Sequence, residues 1–165
     1  MPLRIAFAGK MQVGKTSAAD HLVRRHGFRK YALADPIKEI ARDAFGWDGA
    51  KDERGRRLLQ EIGSVGRAYD AEMWLRRLAE RMARDAAPRI VVDDVRLARE
   101  VTFLESQGFM VVRILRPADR ISTLTSDERA RHETETELDD VPVDATLDNR
   151  GTLEELYAAV DRLIA

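Results

Sequence analysis

The sequence predicts an α/β domain built on a parallel sheet with helices on both faces. Two observations carry this. Short apolar runs alternate with stretches of helical periodicity along nearly the whole chain, in βαβα order. The first apolar run also empties into a glycine-containing loop that opens directly into a helix. Such sheets cross over with one hand and bind ligands at the carboxyl ends of their strands.

The elements follow in order. Leu3 to Ala8 reads as a buried strand ending at Gly9, and Lys15 to His26 as a helix stopped by Gly27. Phe28 to Ala34 is a candidate second strand. Asp35 then serves as N-cap with Pro36 at the first helical position, and the helix runs to about Phe45 before Gly46. Trp47 to Gly55 reads as a polar loop. Two helical stretches follow, near Arg56–Gly63 and Ala71–Ala87. In the second, Trp74, Leu75, Leu78, Ala79 and Met82 recur at helical spacing. After Pro88, Arg89 to Val95 is a β-branched strand, Ala98 to Gln107 a helix, and Phe109 to Leu115 a strand stopped by Pro117. Residues 118–140 are the least apolar part of the chain. Val143 to Leu147 is a last short strand. Thr152 to Ile164 closes the chain as an amphipathic helix, with Thr152 and Glu155 in capping-box spacing. The turns after Ala8, Ala34, Val92 and Leu147 then share one edge.

Composition narrows the chemistry. A length of 165 residues fits one domain with a sizeable core, and 44% apolar against 35% charged residues is globular. The net charge of −1 directs nothing toward nucleic acid or an acidic membrane. The absence of cysteine excludes disulfides and thiolate metal sites. Three histidines, at 21, 26 and 132, without an HExxH pattern argue against a zinc enzyme, and His21 and His26 read as structural. No apolar run approaches a membrane span, and MPLRIAFAG is too short for a signal peptide. The expected location is the cytoplasm.

The run Gly9-Lys10-Met11-Gln12-Val13-Gly14-Lys15-Thr16 fits GxxxxGK[ST] at every fixed position, with a strand before it and a helix after it. Glycines there let successive N–H groups converge on phosphate oxygens, and the helix N-terminus adds favourable partial charge. The site for ATP therefore extends from Gly9 to Ser17. Lys15 reaches the β- and γ-phosphates, and the Thr16 hydroxyl ligates Mg²⁺. Ile90-Val91-Val92-Asp93-Asp94 is an apolar strand ending in acid, where an aspartate holds the metal's water shell. Adjacent side chains leave a strand on opposite faces, so one of Asp93 and Asp94 is expected to do this; a plain helix cap is the alternative. Arg96 on the same edge can fork onto a phosphate, or be a surface arginine.

The phosphate loop alone does not choose among kinases, GTPases and motor ATPases. No NKxD motif is present, and the DxxG at Asp148–Gly151 lies too near the C-terminus to be a switch. A small-molecule kinase fits the size. It needs an acceptor pocket and an arginine-bearing lid. The middle region offers Asp35, Lys38, Arg54, Arg57, Arg67, Trp74 and Arg77, and the charged stretch offers Arg120, Arg129, Arg131 and His132.

At this point the chain resembles a known family. The phosphate loop, ALADPIKEIARDAFGW (32–47), KDERGRRLLQEIGSVGRAYDAEMWLRRL (51–78), IVVDDVRLARE (90–100), HETETELDD (132–140) and DNRGTLEELYAAVDRLI (148–164) together look like the deoxynucleoside monophosphate kinases of the bacteriophage type. The resemblance covers nearly the whole chain in the right order. It departs where Leu97, Ala98 and Arg99 precede Glu100, and where the histidine segment reads HETETE.

The resemblance implies a three-layer P-loop NTPase fold with a five-stranded parallel core, a helical acceptor-binding insert and a mobile lid. It divides the single domain into a core (about 1–34, 88–117 and 141–165), an acceptor region (about 35–87) and a lid (about 118–140). It implies transfer of the ATP γ-phosphate to a deoxynucleoside monophosphate, with Mg²⁺, no nucleic acid or membrane partner, and room for a homodimer. Lys15, Asp94, Arg96, Arg129 and Arg131 are then the catalytic candidates. Arg67, after a Gly-Ser-Val-Gly turn, is the first candidate to clamp the acceptor phosphate, with Arg57 and Lys38 behind it. Asp35 can touch the sugar or base, Trp74 can stack on the base or fill the core, and His132 can sit near the phosphates. Asn149 and Arg150 follow the last strand, where this fold holds adenine.

Overall fold

Six apolar-rich residues, Leu3–Ala8, form strand β1, and its last four are fully buried. β1 lies between two parallel strands, and its buried residues Ile5–Ala8 read as a continuous apolar run. The remaining elements, in chain order, are α1 (Lys15–His26), β2 (Arg29–Tyr31), α2 (Asp35–Phe45), α3 (Glu53–Tyr69), α4 (Met73–Asp85), β3 (Arg89–Val95), α5 (Ala98–Ser106), β4 (Met110–Leu115), β5 (Ala145–Asp148) and α6 (Leu153–Leu163). This computed structural model describes residues 2–50, 52–117 and 136–165. The five strands form a parallel sheet in the order β2-β3-β1-β4-β5. No described helix is long and apolar enough to cross a membrane.

The described chain gathers into two compact units, Met1–Lys30 with Pro88–Ala165, and Tyr31–Ala87. In the first, Ile5, Phe7, Leu22, Val91, Val112, Ile114, Leu156 and Val160 make one buried cluster, with Ala18 and Ala19 of α1 against it. The register between β1 and β3 slips once. Ala6 faces Val92 but Ala8 faces Val95, so Phe7 stands opposite the pair Asp93–Asp94. A bulge of this kind re-aims side chains at a strand end. β3 runs past the acids to Val95, as the sequence reading of a strand over Arg89 to Val95 expects.

α6 is closed by the expected box: Thr152 Oγ1 accepts from Glu155 N at 3.2 Å, and Glu155 Oε2 from Thr152 N at 2.7 Å. β5 begins two residues later than expected. Asp144 first exchanges two bonds with Val111, its N–H to the carbonyl at 3.0 Å and its carboxylate accepting at 2.7 Å, and the ladder follows.

The second unit is helical, and three expectations change there. β2 is shorter than Phe28–Ala34 because the chain turns at Ala32. The Asp35 carboxylate accepts from Ala32 N at 2.8 Å while Asp35 N donates to Ala32 O at 3.0 Å. Asp35 is thus the first residue of α2 rather than its N-cap, and its Oδ2 holds that turn. The largest change is at Gly63–Gly66, expected as a turn, where α3 instead runs unbroken for 17 residues to Tyr69. Asp52 starts it by accepting from Gly55 N at 2.7 Å. The glycines serve close packing. A Cβ on Gly66 would sit 2.2 Å from the Trp74 ring, and one on Gly63 would sit 3.1 Å from Ile37 Cδ1. Arg67 therefore rides on an exposed helical face and does not follow a turn.

Candidate active site

The loop after β1 is shaped by left-handed backbone. Gly9 has φ 143°, Gln12 φ 60° and Gly14 φ 111°. At Gly9 a Cβ would lie 2.6 Å from Ile114 O, so only glycine fits the approach of the loop to β4. Gly9 N donates to Val95 O at 3.3 Å, which hangs the loop on the end of β3. α1 then starts at Lys15 with no side chain capping it and no acidic residue in its first turn. Its first N–H groups and positive dipole end face the loop, the arrangement that holds an anion.

Lys15 is buried, and its Nζ donates to Gly9 O at 2.6 Å and to Lys10 O. The ammonium is thus drawn across the loop mouth by carbonyls of the loop itself. Thr16 is exposed beside it and Ser17 half-buried.

Behind the loop lies Asn149. It is buried, and its Nδ2 donates to Val13 O at 2.8 Å. Gly14 is what admits it, since a Cβ there would come within 2.6 Å of that nitrogen. Its own N–H donates to Leu115 O at 2.8 Å. The Asn149 side chain therefore braces the phosphate loop. Arg150 beside it is exposed and pairs with Asp148 at 3.0 Å.

The two acids of β3 differ in setting. Asp93 is buried, and its Oδ2 lies 3.4 Å from Lys30 Nζ, which also reaches Asp20 at 2.6 Å. Burial works to lower the Lys30 pKa, but the hydrogen bond to Asp20 and the charge of Asp93 outweigh it and leave the ammonium above its ordinary value. Asp94 is half-buried. Just beyond it, the N–H groups of Arg96 and Leu97 both donate to Glu100 Oε2, at 2.8 and 3.0 Å. Burial raises the Glu100 pKa despite those two bonds. The exposed Arg96 side chain shares a cavity of about 400 Å³ with Gly9, Lys10 and Glu137.

A second cavity of about 400 Å³ is also lined by Lys10, with Val13, Arg113, Arg116, Asp139 and Arg150. Lys10 Nζ is 3.7 Å from Asp139. Arg113 donates from Nη2 to the carbonyls of Leu138 and Val141, fixing that segment against β4. The sequence reading names none of Lys30, Arg113, Arg116 and Asp139. A signal existed for Arg113, a charge inside the apolar run MVVRIL. Lys30 had none, because its partner is a neighbour in the sheet and not in the chain.

In the helical unit, Lys38 and Asp35 are half-buried on α2, while Arg57 and Arg67 are exposed on α3. Arg57 pairs with Glu61 one turn on, at 2.8 Å. Arg57 also lines a cavity of about 520 Å³ with Phe45, Trp47, Asp52 and Arg54. Trp74 does not offer a face for stacking. The indole is buried against Gly66, and its Nε1 donates to Gly63 O at 3.0 Å. It fills the core between α3 and α4, the other of the two roles expected of it. Arg120, Arg129, Arg131 and His132 lie outside the described residues.

The profile of the family described as deoxynucleotide monophosphate kinase matches residues 54–160. This chain belongs to that family. Its members are phosphotransferases, and the five-stranded parallel sheet behind a phosphate loop is the frame such kinases use. Among family relatives, a protein of Acanthamoeba polyphaga mimivirus, provisionally named a deoxynucleotide monophosphate kinase, is 28% identical over 94% of this chain and 93% of its own length. The uncharacterized protein ORF77 of Ictalurid herpesvirus 1 (strain Auburn) is 34% identical over 82% of the chain. The match spans 59% of ORF77. Among solved structures, TT1252 from Thermus thermophilus shares the fold, with a TM-score of 0.65 and 22% identity over 99% of this chain and 96% of that one.

Proposed function

We propose that this chain transfers the γ-phosphate of ATP to deoxynucleoside monophosphates, giving diphosphates. The observation that carries the reading is the phosphate loop in a chain of this family: Gly9, Gln12 and Gly14 in left-handed backbone, and the buried Lys15 ammonium across its mouth. An acceptor phosphate oxygen attacks the γ-phosphorus, and the bond to the β–γ bridging oxygen breaks, leaving ADP. The acceptor is already ionised at neutral pH, so positioning and charge neutralisation supply the catalysis. Lys15 exchanges its loop carbonyls for phosphate oxygens, and the first N–H groups of α1 hold the anion.

The donors beside the loop are hard oxygens, the Thr16 hydroxyl and the carboxylates of Asp93 and Asp94, which suit Mg²⁺. Asp93, buried with Lys30 at 3.4 Å, and Asp94, half-buried beside it, are both candidates for the metal's water shell. Bound there, Mg²⁺ would neutralise phosphate charge. Residues 35–87 supply the acceptor side, with Arg67 and Arg57 as exposed candidate forks.

The test is an ADP-release assay across all deoxy- and ribonucleoside monophosphates and other small anionic acceptors. Turnover stimulated by deoxynucleoside monophosphates is expected. Turnover with only another acceptor makes this a kinase of a different metabolite, and ATP binding without turnover makes it a binding module. Lys15→Ala should cut kcat by about 10²–10³ or more while far-UV circular dichroism stays unchanged. Arg67→Ala should raise the KM for the acceptor more than that for ATP.

A further inference from the structure

At the far end of α1 from the phosphate loop, three ligand-bearing side chains converge. His26 closes α1, 11 residues beyond Lys15, which is about 16 Å along a helix axis. The Nε2 atoms of His21 and His26 both lie 2.7 Å from the same oxygen, Oδ1 of Asp161 on α6. All three ligand atoms fall within 4.8 Å of one another. We propose that His21, His26 and Asp161 form a binding site for one late first-row divalent cation, of the Zn²⁺ and Ni²⁺ class.

The site is oriented before any ion arrives. His21 stacks on Tyr157 with ring centroids 4.2 Å apart and planes within 8°. Tyr157 is in turn held by Arg24, whose Nη2 donates to its hydroxyl at 3.2 Å. The His26 carbonyl accepts from Arg89 at 2.8 Å, which fixes the last residue of the helix. The two imidazoles meet edge to face at 74°. Their side chains are 12% and 24% exposed and that of Asp161 is 41%, so the cluster opens at the surface and water can complete a coordination shell.

Donor chemistry selects the ion. Two imidazole nitrogens and one carboxylate oxygen suit Zn²⁺, Ni²⁺, Co²⁺ or Cu²⁺, whereas Mg²⁺ demands a near-octahedral set of oxygens. A tetrahedral ion with bonds of about 2.0–2.1 Å keeps its ligand atoms about 3.3 Å apart. The present 2.7 Å contacts must therefore open by roughly 0.6 Å, a side-chain adjustment. A neutral imidazole exposes the Nε2 lone pair by moving its proton to Nδ1, with no net proton released. The bound ion would join α1 to α6 in place of two hydrogen bonds.

The test uses the full chain, tag-free and chelator-stripped, without nucleotide. Isothermal titration with ZnCl₂ or NiCl₂ should show one ion per chain, and MgCl₂ should not compete. At a hundredfold excess of Zn²⁺ over Kd, Tm should rise by roughly 5–10 °C. His26→Gln and Asp161→Asn should each weaken binding at least tenfold; both lie at the rim, and metal-free melts will show that they fold. His132→Gln, which removes the third histidine in the chain, should leave affinity unchanged. No Zn²⁺-dependent heat or Tm shift in the wild type would overturn the proposal. So would full binding in His26→Gln and Asp161→Asn, or loss of binding in His132→Gln. Because the readout needs no turnover, it stands or falls independently of the kinase assay.

Discussion

Gly66→Ala should destabilise the protein, although alanine is the better helix former. Exchanging glycine for alanine inside a helix gains about 1 kcal/mol from propensity alone. Against this stands a methyl group placed 2.2 Å from one ring atom of Trp74 and 2.5 Å from another. The indole cannot swing away cheaply, because it is buried and its Nε1 is bonded to Gly63 O at 3.0 Å. Overpacking of this kind costs about 1–3 kcal/mol, and losing the indole bond adds about 1 kcal/mol more. The net expectation is a loss of about 1–3 kcal/mol, or roughly 3–10 °C in Tm for a chain of this size.

Gly63→Ala is the control. There the methyl meets Ile37 Cδ1 and the flexible tip of Arg67, each at 3.1 Å, so the change should stay within about 1 kcal/mol of neutral. Urea denaturation followed by tryptophan fluorescence and far-UV circular dichroism measures both variants. A double-mutant cycle with Trp74→Leu should show a coupling of at least about 1 kcal/mol, since the smaller side chain leaves room for the methyl. If Gly66→Ala matches or exceeds the wild type in urea midpoint, the close approach of α3 to Trp74 is wrong.

Two further outcomes are expected. Asn149→Ala strands the buried Val13 carbonyl, so it should cost about 1–3 kcal/mol in urea and raise the KM for the donor nucleotide more than for the acceptor; an unchanged donor KM would show that Asn149 does not brace the loop. Glu100 should make stability fall as pH rises. Burial first holds its carboxyl above 4.5, so the folded chain keeps a proton that the unfolded chain has released, and this stabilising difference is lost as pH climbs from about 4.5 through the folded pKa. Glu100→Gln should remove that slope in denaturation curves taken between pH 4 and 8, and parallel curves for the two proteins would refute it.

The parts of the molecule that were legible in the sequence are those whose causes are local. β1 and β3 announce themselves through the short apolar runs Ile5–Ala8 and Ile90–Val92, which are buried in the sheet. α1 and α6 carry their own start and stop signals, Gly27 for one and the Thr152–Glu155 box for the other. The phosphate loop is equally local: its conformation needs glycine at positions 9 and 14, and the roles proposed for Lys15 and Thr16 rest on their register with the following helix. Residues 63–66 misled for the same reason. Glycine usually punctuates a helix, and only the arrival of Trp74 from α4 shows why α3 carries two and continues.

What the amino-acid order determined by itself is therefore the run of strands and helices, the α/β class and the phosphate-binding turn, since backbone preference and apolar period act over a few residues. The fold alone decided which distant groups meet. Asn149 props a carbonyl 136 residues away, Lys30 pairs with Asp93 across adjacent strands, and two histidines of α1 reach one carboxylate of α6. Such pairings depend on strand order and helix placement, which burial of the whole core selects and no local pattern encodes.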